Sequence, residues 1–135
     1  MTAPYRQVSN DVEVSVEPLF LPEQSSAEQR QFVWAYNIQI VNRGGRTVQL
    51  LNRHWRIIDS LGQVQEVRGP GVIGEQPILR PGDTFAYSSH TVLKTPSGFM
   101  VGDYEMSTEA GDRFEVKIPA FSLDEPLTKA RAKLN

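Results

Sequence analysis

The sequence predicts an all-β protein, an antiparallel β-sandwich of seven or eight strands, and three observations lead to this prediction. Apolar residues recur at every second position, as they do on strands that bury one face. Turn-forming residues separate these runs about every ten residues, which is typical of a sandwich or a barrel. Nine prolines are spread over the 135 residues, and they leave little room for long helices.

The alternation is clearest in three segments, Asp11–Glu17, Phe32–Val41 and Arg113–Ile118. In the first segment, three valines alternate with acidic or hydroxyl-bearing residues. In the last, apolar residues alternate with arginine, glutamate and lysine. One apolar face and one polar face is the pattern of an antiparallel sheet, because parallel strands are usually buried on both faces.

The segment Thr47–Asp59 changes the phase of its alternation: Leu50 is even-numbered, whereas the apolar Trp55 and Ile57 are odd-numbered. A shift by one residue sends side chains to the opposite face of a sheet. We therefore expect a β-bulge near Leu51–Arg53, or alternatively a strand that is covered on both faces. If Trp55 points inward, Arg53 shares its face and needs a position at the sheet edge or a partner.

The domain prediction is a single unit over residues 1–135, with a core at about 11–123 and a tail or short helix at 124–135. "SSAEQRQF" predicts a short helical turn in the loop after the first strand. "DEPLTKARAK" predicts a short C-terminal helix, because an acidic residue and proline stand at its start and basic residues at its end. The basic residues of this tail, Lys129, Arg131 and Lys133, are expected to be solvated.

Composition limits the classes of partner. The chain has no cysteine, which excludes disulfides and thiolate metal sites. Its 14 basic and 16 acidic residues give a net charge of −2, so a nucleic-acid partner is not expected. No apolar run approaches the ~20 residues of a membrane helix, and the N-terminal stretch has no apolar signal region. We expect a soluble, cytoplasmic protein without membrane insertion.

The stretch "GPGVIG" contains Gly69, Gly71 and Gly74 at the spacing G-x-G-x-x-G. The dinucleotide-binding form of this motif requires a helix immediately after the loop. Pro77 and Pro81 exclude that helix here.

A glycine loop can also bind an anion through successive backbone N–H groups without any helix. Arg68, Gly69, Gly71 and Gly74 are therefore the candidate ligand-binding residues, for pyrophosphate, a nucleotide or a divalent cation. The other interpretation is a tightly bent loop whose glycines serve its backbone conformation.

The sequence contains no recognisable catalytic constellation. Only two histidines are present, and neither His54 nor His90 has further ligands at a spacing typical of a metal site. Alternation places His90 on the exposed face of its strand. Ser97 lacks the elbow motif of a nucleophilic serine and fits a turn. We predict a non-enzymatic protein with no catalytic residues, no metal site and no cofactor.

Two short motifs specify the sandwich further. "LRPGDTF", Leu79–Phe85, resembles the corner motif of immunoglobulin-like and fibronectin type III-like domains, although Phe85 stands where the tyrosine would donate its hydrogen bond. "GDYEM", Gly102–Met106, resembles a late strand of such domains, with Tyr104 directed inward.

Taken together, the segments from Asp11 to Leu123 resemble the ApaG family. The residues that carry the match are Arg53, Trp55, Asp59, Gly69, Gly71, Gly74, Gln76, Pro77, Pro81, Gly82, Thr95, Pro96, Gly98 and Ile118–Phe121. The resemblance implies a fibronectin type III-like fold and a small bacterial protein. It also implies a historical association with cobalt and magnesium efflux, and relatives that are appended as domains to F-box proteins. It supplies no catalytic residues.

Two functions are expected from this resemblance and from the missing catalytic site. The first is a protein-binding module, whose exposed strand edges could pair with a partner segment or form a homodimer. The alternative is a small-ligand binding or sensing protein that uses the Gly69–Gly74 loop.

Overall fold

The computed structural model describes residues 5–125. The predicted C-terminal helix lies outside the described residues except at its start, and so do the basic residues of the tail. The described part contains nine strands and a single 3₁₀ turn at Pro22–Gln24. The strands are β1 Tyr5–Ser9, β2 Val12–Phe20, β3 Phe32–Asn42, β4 Val48–Asp59, β5 Val64–Pro70, β6 Ile78–Leu79, β7 Thr84–Leu93, β8 Ser97–Thr108 and β9 Arg113–Asp124.

These strands form two antiparallel sheets, which confirms the predicted sandwich. One sheet has the order β1-β2-β3-β7, and the other has the order β5-β4-β8-β9, with the two-residue β6 paired to β4. The count exceeds the predicted seven or eight because β6 is very short and because β1 precedes the expected core. β1 joins β2 through a tight turn in which Asn10 and Asp11 both have positive φ.

The predicted β-bulge in β4 is present. Its pairing with β8 shifts between Leu50 and Asn52, and both Leu50 and Trp55 point into the core as a result. The bulge therefore reconciles the two phases of the apolar pattern, and β4 does not need to be covered on both faces. Ser25–Phe32 forms a turn, as expected, but the turn is not helical; Arg30 N–H donates there to the carbonyl of Ala27.

The core lies between the two sheets and centres on aromatic side chains from both. Tyr36 of β3 contacts the edge of Trp55 of β4 at a centroid distance of 5.6 Å, and Trp55 contacts Phe121 of β9 at 5.9 Å. Such aromatic pairs contribute about 0.5–1.5 kcal/mol beyond the burial of their area. Tyr104, Met100 and Met106 of β8 are completely buried, as the inward placement of Tyr104 predicts.

The two sides of the sandwich differ. On one side β1 closes the gap to β9 through side chains: Ser9 Oγ accepts from Lys117 N–H at 2.8 Å, and Asn10 Nδ2 donates to the carbonyl of Glu115 at 2.7 Å. On the other side, β7 and β5 each end their sheet, and within residues 5–125 no strand pairs with their outer edges. Helices of membrane-spanning length and hydropathy do not occur in this part of the chain.

Candidate functional site

A shallow groove crosses the outer face of the β5-β4-β8-β9 sheet, and its volume is about 650 Å³. All four strands contribute to its lining. The lining residues are Asn52, Arg53, His54, Arg68, Gly69, Pro70, Asp103, Tyr104, Glu105, Arg113, Phe114 and Glu115. We call this feature the sheet groove.

The bulge in β4 determines which side chains reach the sheet groove. After the bulge, the odd-numbered Trp55 and Ile57 are buried, so the even-numbered Asn52, His54 and Arg56 point outward. The register pairs His54 with Arg68 of β5 and with Asp103 of β8.

One charged chain of contacts runs across the β5 side of the sheet groove. Arg68 Nε donates to Glu66 Oε1 at 2.8 Å, and His54 Nε2 lies 2.9 Å from the same oxygen. On its other side, His54 Nδ1 lies 3.8 Å from Asp103 Oδ2. The hydrogen bond from Arg68, and then that from His54, lowers the pKa of the Glu66 carboxyl. Glu66 therefore remains a carboxylate at neutral pH and shares the histidine with Asp103.

A second set of contacts lies on the β8 and β9 side. Glu105 Oε1 accepts from Asn52 Nδ2 at 2.7 Å and from Arg113 Nη1 at 3.2 Å. Lys117 Nζ lies 2.8 Å from Glu115 Oε1 on the same face, and the carboxylate raises the pKa of Lys117. The face is thus a mosaic in which each of these cations stands beside an acid.

The glycine loop begins where β5 leaves this sheet. Gly69 faces inward opposite Arg53, and a Cβ there would lie 3.1 Å from Arg53 Nη1. The guanidinium occupies that space and donates from Nη1 to the carbonyls of Pro70 at 3.0 Å and Gly71 at 2.9 Å. This is the partner that the inward position of Arg53 requires.

Gly71 and Gly74 serve the backbone of the loop. Gly71 has φ of +62°, and a Cβ on it would lie 2.2 Å from the carbonyl oxygen of Glu75. Val72 and Glu75 exchange both backbone hydrogen bonds across a two-residue turn, Ile73 and Gly74, in which both φ angles are positive.

The bulge and the loop are physically linked. The bulged residue Leu51 directs its carbonyl to the loop, where it accepts from Gly71 N–H at 2.8 Å and from Gln76 Nε2 at 2.9 Å. Because a bulge leaves one residue out of the ladder, its carbonyl needs such a partner. The same bulge that orients the groove residues also fixes the start of the loop.

The structure divides the predicted ligand-binding residues. Arg68 and Gly69 line the sheet groove, whereas Gly71 and Gly74 lie in the loop beyond it. The N–H groups of Gly71 and Val72 are engaged by carbonyls of the chain. The anion site at these four residues stays a prediction.

A buried polar cluster lies on the inner face, directly behind the sheet groove. The hydroxyls of Tyr87 and Tyr104 are 2.5 Å apart, and each is within the core. Burial raises the pKa of both phenols, and it also raises the pKa of Tyr36, although the hydrogen bond with Ser89 and the charge of Arg53 oppose the rise at Tyr36. The phenols therefore remain neutral.

Sequence reasoning missed the environment of His54. It finds Asp59 as the nearest acid along the strand, whereas the actual neighbours are Glu66 and Asp103 from the two adjacent strands. These two neighbours can be identified only when the pairing of β4 with β5 and with β8 is known. His90 is exposed, as the alternation predicts. Among the described residues, no three His, Asp or Glu side chains are placed to share a metal ion.

Comparisons with a family model and with known proteins identify the same family. A family model described as the ApaG domain matches residues 22–108. A protein named ApaG from Paramagnetospirillum magneticum is 60% identical over 127 residues, which cover 94% of this chain and 98% of that protein. A protein of the same name from Rhodospirillum centenum is 58% identical over the same shares of both chains.

A solved structure agrees with this result. The crystal structure described as an ApaA protein from Bordetella pertussis is 47% identical, with a TM-score of 0.84, over 93% of this chain and 98% of that one. The match extends over both sheets, and the sequence identity and the shared fold point to the same group of proteins. The chain belongs to the ApaG family.

Proposed function

We propose that this protein is a cytoplasmic, non-enzymatic protein-binding module that contacts its partner through the sheet groove. The observation that carries the proposal is the mosaic of opposite charges across the outer face of the β5-β4-β8-β9 sheet. Arg68, Arg113 and His54 line the groove, and each stands beside a carboxylate of the same face.

The mosaic favours a polypeptide over a nucleic acid. Nucleic-acid sites present unpaired cations to phosphates, and they gain most of their affinity from that charge. In the sheet groove the outward-pointing arginines, Arg68 and Arg113, are each paired with an acid of the same face. A folded protein partner can match alternating charges with its own, and such matching gives specificity and register.

The exposure of the arginines supports a contact role. The side chains of Arg68 and Arg113 are 70% and 64% exposed, so their ion pairs with Glu66 and Glu105 contribute little to the fold. Arginine is also enriched among residues that dominate binding energy at interfaces. The association of the family with cobalt and magnesium efflux then becomes an indirect role exerted through a partner.

Affinity capture with matched variants tests the proposal. The full chain is immobilised and exposed to lysate of its native host, in parallel with an Arg68→Glu/Arg113→Glu double variant. The control is Gln39→Glu, an exposed position in β3 of the other sheet. We expect one or more proteins to be captured by the native chain and by the control and lost with the double variant. Equal capture by all three chains would exclude the sheet groove as the contact surface.

A second candidate function is the binding of a small ligand, which is pyrophosphate, a nucleotide or a divalent cation, because Arg68 and Gly69 line the same groove. A thermal-shift series with pyrophosphate, ATP, Mg²⁺ and Co²⁺ distinguishes it from the first. A ligand at a hundred times its Kd adds about 2.7 kcal/mol to the free energy of unfolding. A saturable shift that disappears in Arg68→Ala would support this candidate, and the absence of any shift would remove it.

A further inference from the structure

The outer edge of β7 is unusual for an exposed sheet edge. Its ten residues, Thr84–Leu93, include no Lys, Arg, Asp, Glu or Pro, and they pair with β3 in unbroken register. Natural proteins normally protect such edges with charges, prolines or bulges, because an unpaired edge is a template for another strand. The edge of β5 follows that rule, since it contains Glu66, Arg68 and Pro70.

The backbone groups that face outward from β7 can be identified from the register. Asn42 N–H donates to the carbonyl of Asp83, so odd-numbered residues of this strand direct their backbone groups toward β3. The carbonyl of Val33, which is opposite Val92, accepts from Leu21 N–H on the far side and agrees with this assignment. The outward-directed residues are Thr84, Ala86, Ser88, His90 and Val92.

We propose that β7 pairs with β7 of a second copy of this chain, antiparallel and centred on Ser88. In this register Ser88 lies opposite Ser88 of the partner subunit, with Ala86 opposite His90 and Thr84 opposite Val92. Every outward-directed residue of one strand then meets an outward-directed residue of the other, which an antiparallel ladder requires. The two four-stranded sheets become one continuous sheet.

Charges at the ends of the strand favour the second copy as occupant. The only charged residues that flank β7 directly are Asp83 before it and Lys94 after it. In this register Lys94 of each subunit lies opposite Gly82 of the other, one position from Asp83, whose carboxylate also accepts from Arg80 N–H of its own chain. A base therefore lies near an acid of the other subunit at both ends of the ladder. A two-fold pair also leaves no exposed copy of this edge, because each β7 satisfies the other. The sheet groove belongs to the other sheet and stays accessible, so the dimer is independent of the proposed function.

Side-chain sizes agree with this pairing. The residues opposite one another on the outer face are small or neutral, and Val92, which is 50% exposed, becomes partly covered by Thr84 of the other copy. Like charges are absent along the whole ladder, and like charges placed directly opposite each other would destabilise it.

The position of Ser88 on the two-fold axis allows a specific test. Sedimentation velocity of the full chain over a concentration series measures the dimer fraction for the native protein, for Ser88→Lys, for Ser88→Glu and for their equimolar mixture. We expect a dimer of the native chain and at least a tenfold weaker dimer for each variant alone, because each places like charges opposite itself. The mixture should regain the dimer, since lysine then faces glutamate.

Controls separate pairing from misfolding. Ser88 is exposed, and circular dichroism of both variants should match that of the native chain. Gln7→Lys, an exposed change in β1 at the opposite edge of the same sheet, should leave the dimer intact. The proposal is overturned if the native chain is monomeric throughout, if Ser88→Lys dimerises as the native chain does, or if mixing the variants restores nothing. A native monomer whose β7 edge captures another protein would reassign the edge to that partner.

Discussion

The inner and outer faces of the β5-β4-β8-β9 sheet present polar groups in opposite ways. The inner face has few polar side chains. Two of them, Arg53 and Tyr104, are hydrogen-bonded to specific partners. The outer face holds many, and their ion pairs are exposed to solvent. A buried polar group that loses its partner is costly, because it has already been removed from water. An ion pair exposed to solvent is weak. A polar contact therefore contributes more to the free energy of unfolding on the inner face than on the outer face.

This difference indicates how the sheet divides its roles. The inner face determines whether the chain folds, so changes there should appear in the free energy of unfolding. The outer face contributes little to that free energy, so its charges can be arranged for a partner. The free energy of unfolding can therefore be compared between the two faces.

The largest effect is expected for Gly102→Ala on the inner face. A Cβ at this position would lie 2.7 Å from both the carbonyl oxygen of His54 and Cε3 of Trp55, neither of which can move without disturbing β4. We expect the free energy of unfolding to fall by about 1–3 kcal/mol, measured by urea denaturation. Gly45→Ala is the matched control, because no atom other than those of its chain neighbours lies within 4 Å of its Cβ position. Equal effects of the two substitutions would contradict the close packing of Gly102 against Trp55.

The next effect concerns the hydroxyl pair of the core. Tyr87→Phe leaves the hydroxyl of the fully buried Tyr104 without its partner, and we expect a loss of about 1–2 kcal/mol. Tyr104→Phe should cost a similar amount, because it leaves Tyr87 unpaired. The double variant removes both hydroxyls, so its loss should be smaller than the sum of the single losses. Additive losses would show that the two hydroxyls do not interact.

The buried phenols also predict a loss of stability at high pH. Burial raises the pKa of Tyr36, Tyr87 and Tyr104 above the ordinary value of 10.0. Above that value the unfolded chain binds fewer protons than the native one, so the free energy of unfolding falls as pH rises. In Tyr5→Phe, which leaves only these three tyrosines, phenolate absorbance should appear together with unfolding. Phenolate formation in the folded protein would contradict the burial of the cluster.

The smallest effect is expected on the outer face. Arg113→Ala removes an exposed ion pair with Glu105, and we expect the free energy of unfolding to change by less than about 0.5 kcal/mol. Arg68→Ala should behave in the same way. The measurement is again urea denaturation. A loss as large as that of Tyr87→Phe would assign the outer charges to the fold and count against their proposed role in binding.

Much of the inner face could be predicted from the sequence. The phase change between Leu50 and Trp55 predicts the bulge, and it also predicts that Arg53 needs a partner. Both follow because a strand has a fixed period of two, so any break in that period has a structural cause.

The outer face and β1 could not be predicted in the same way. β1 carries no alternation because it is largely exposed and is held by pairing with β2. The contacts of His54 depend on which strands lie beside β4 and in which register, and these are non-local properties. The sequence around a charged residue on an exposed face also does not determine which neighbouring side chains that residue contacts.

Photocrosslinking in the native host tests the division of roles most directly. A photoreactive amino acid is placed at position 113 in the sheet groove and, in a separate strain, at position 39 on the exposed face of the other sheet. We expect a reproducible protein adduct from position 113 and none of the same identity from position 39. Identical adducts from both positions, or none from position 113, would contradict the assignment of the outer face to a partner.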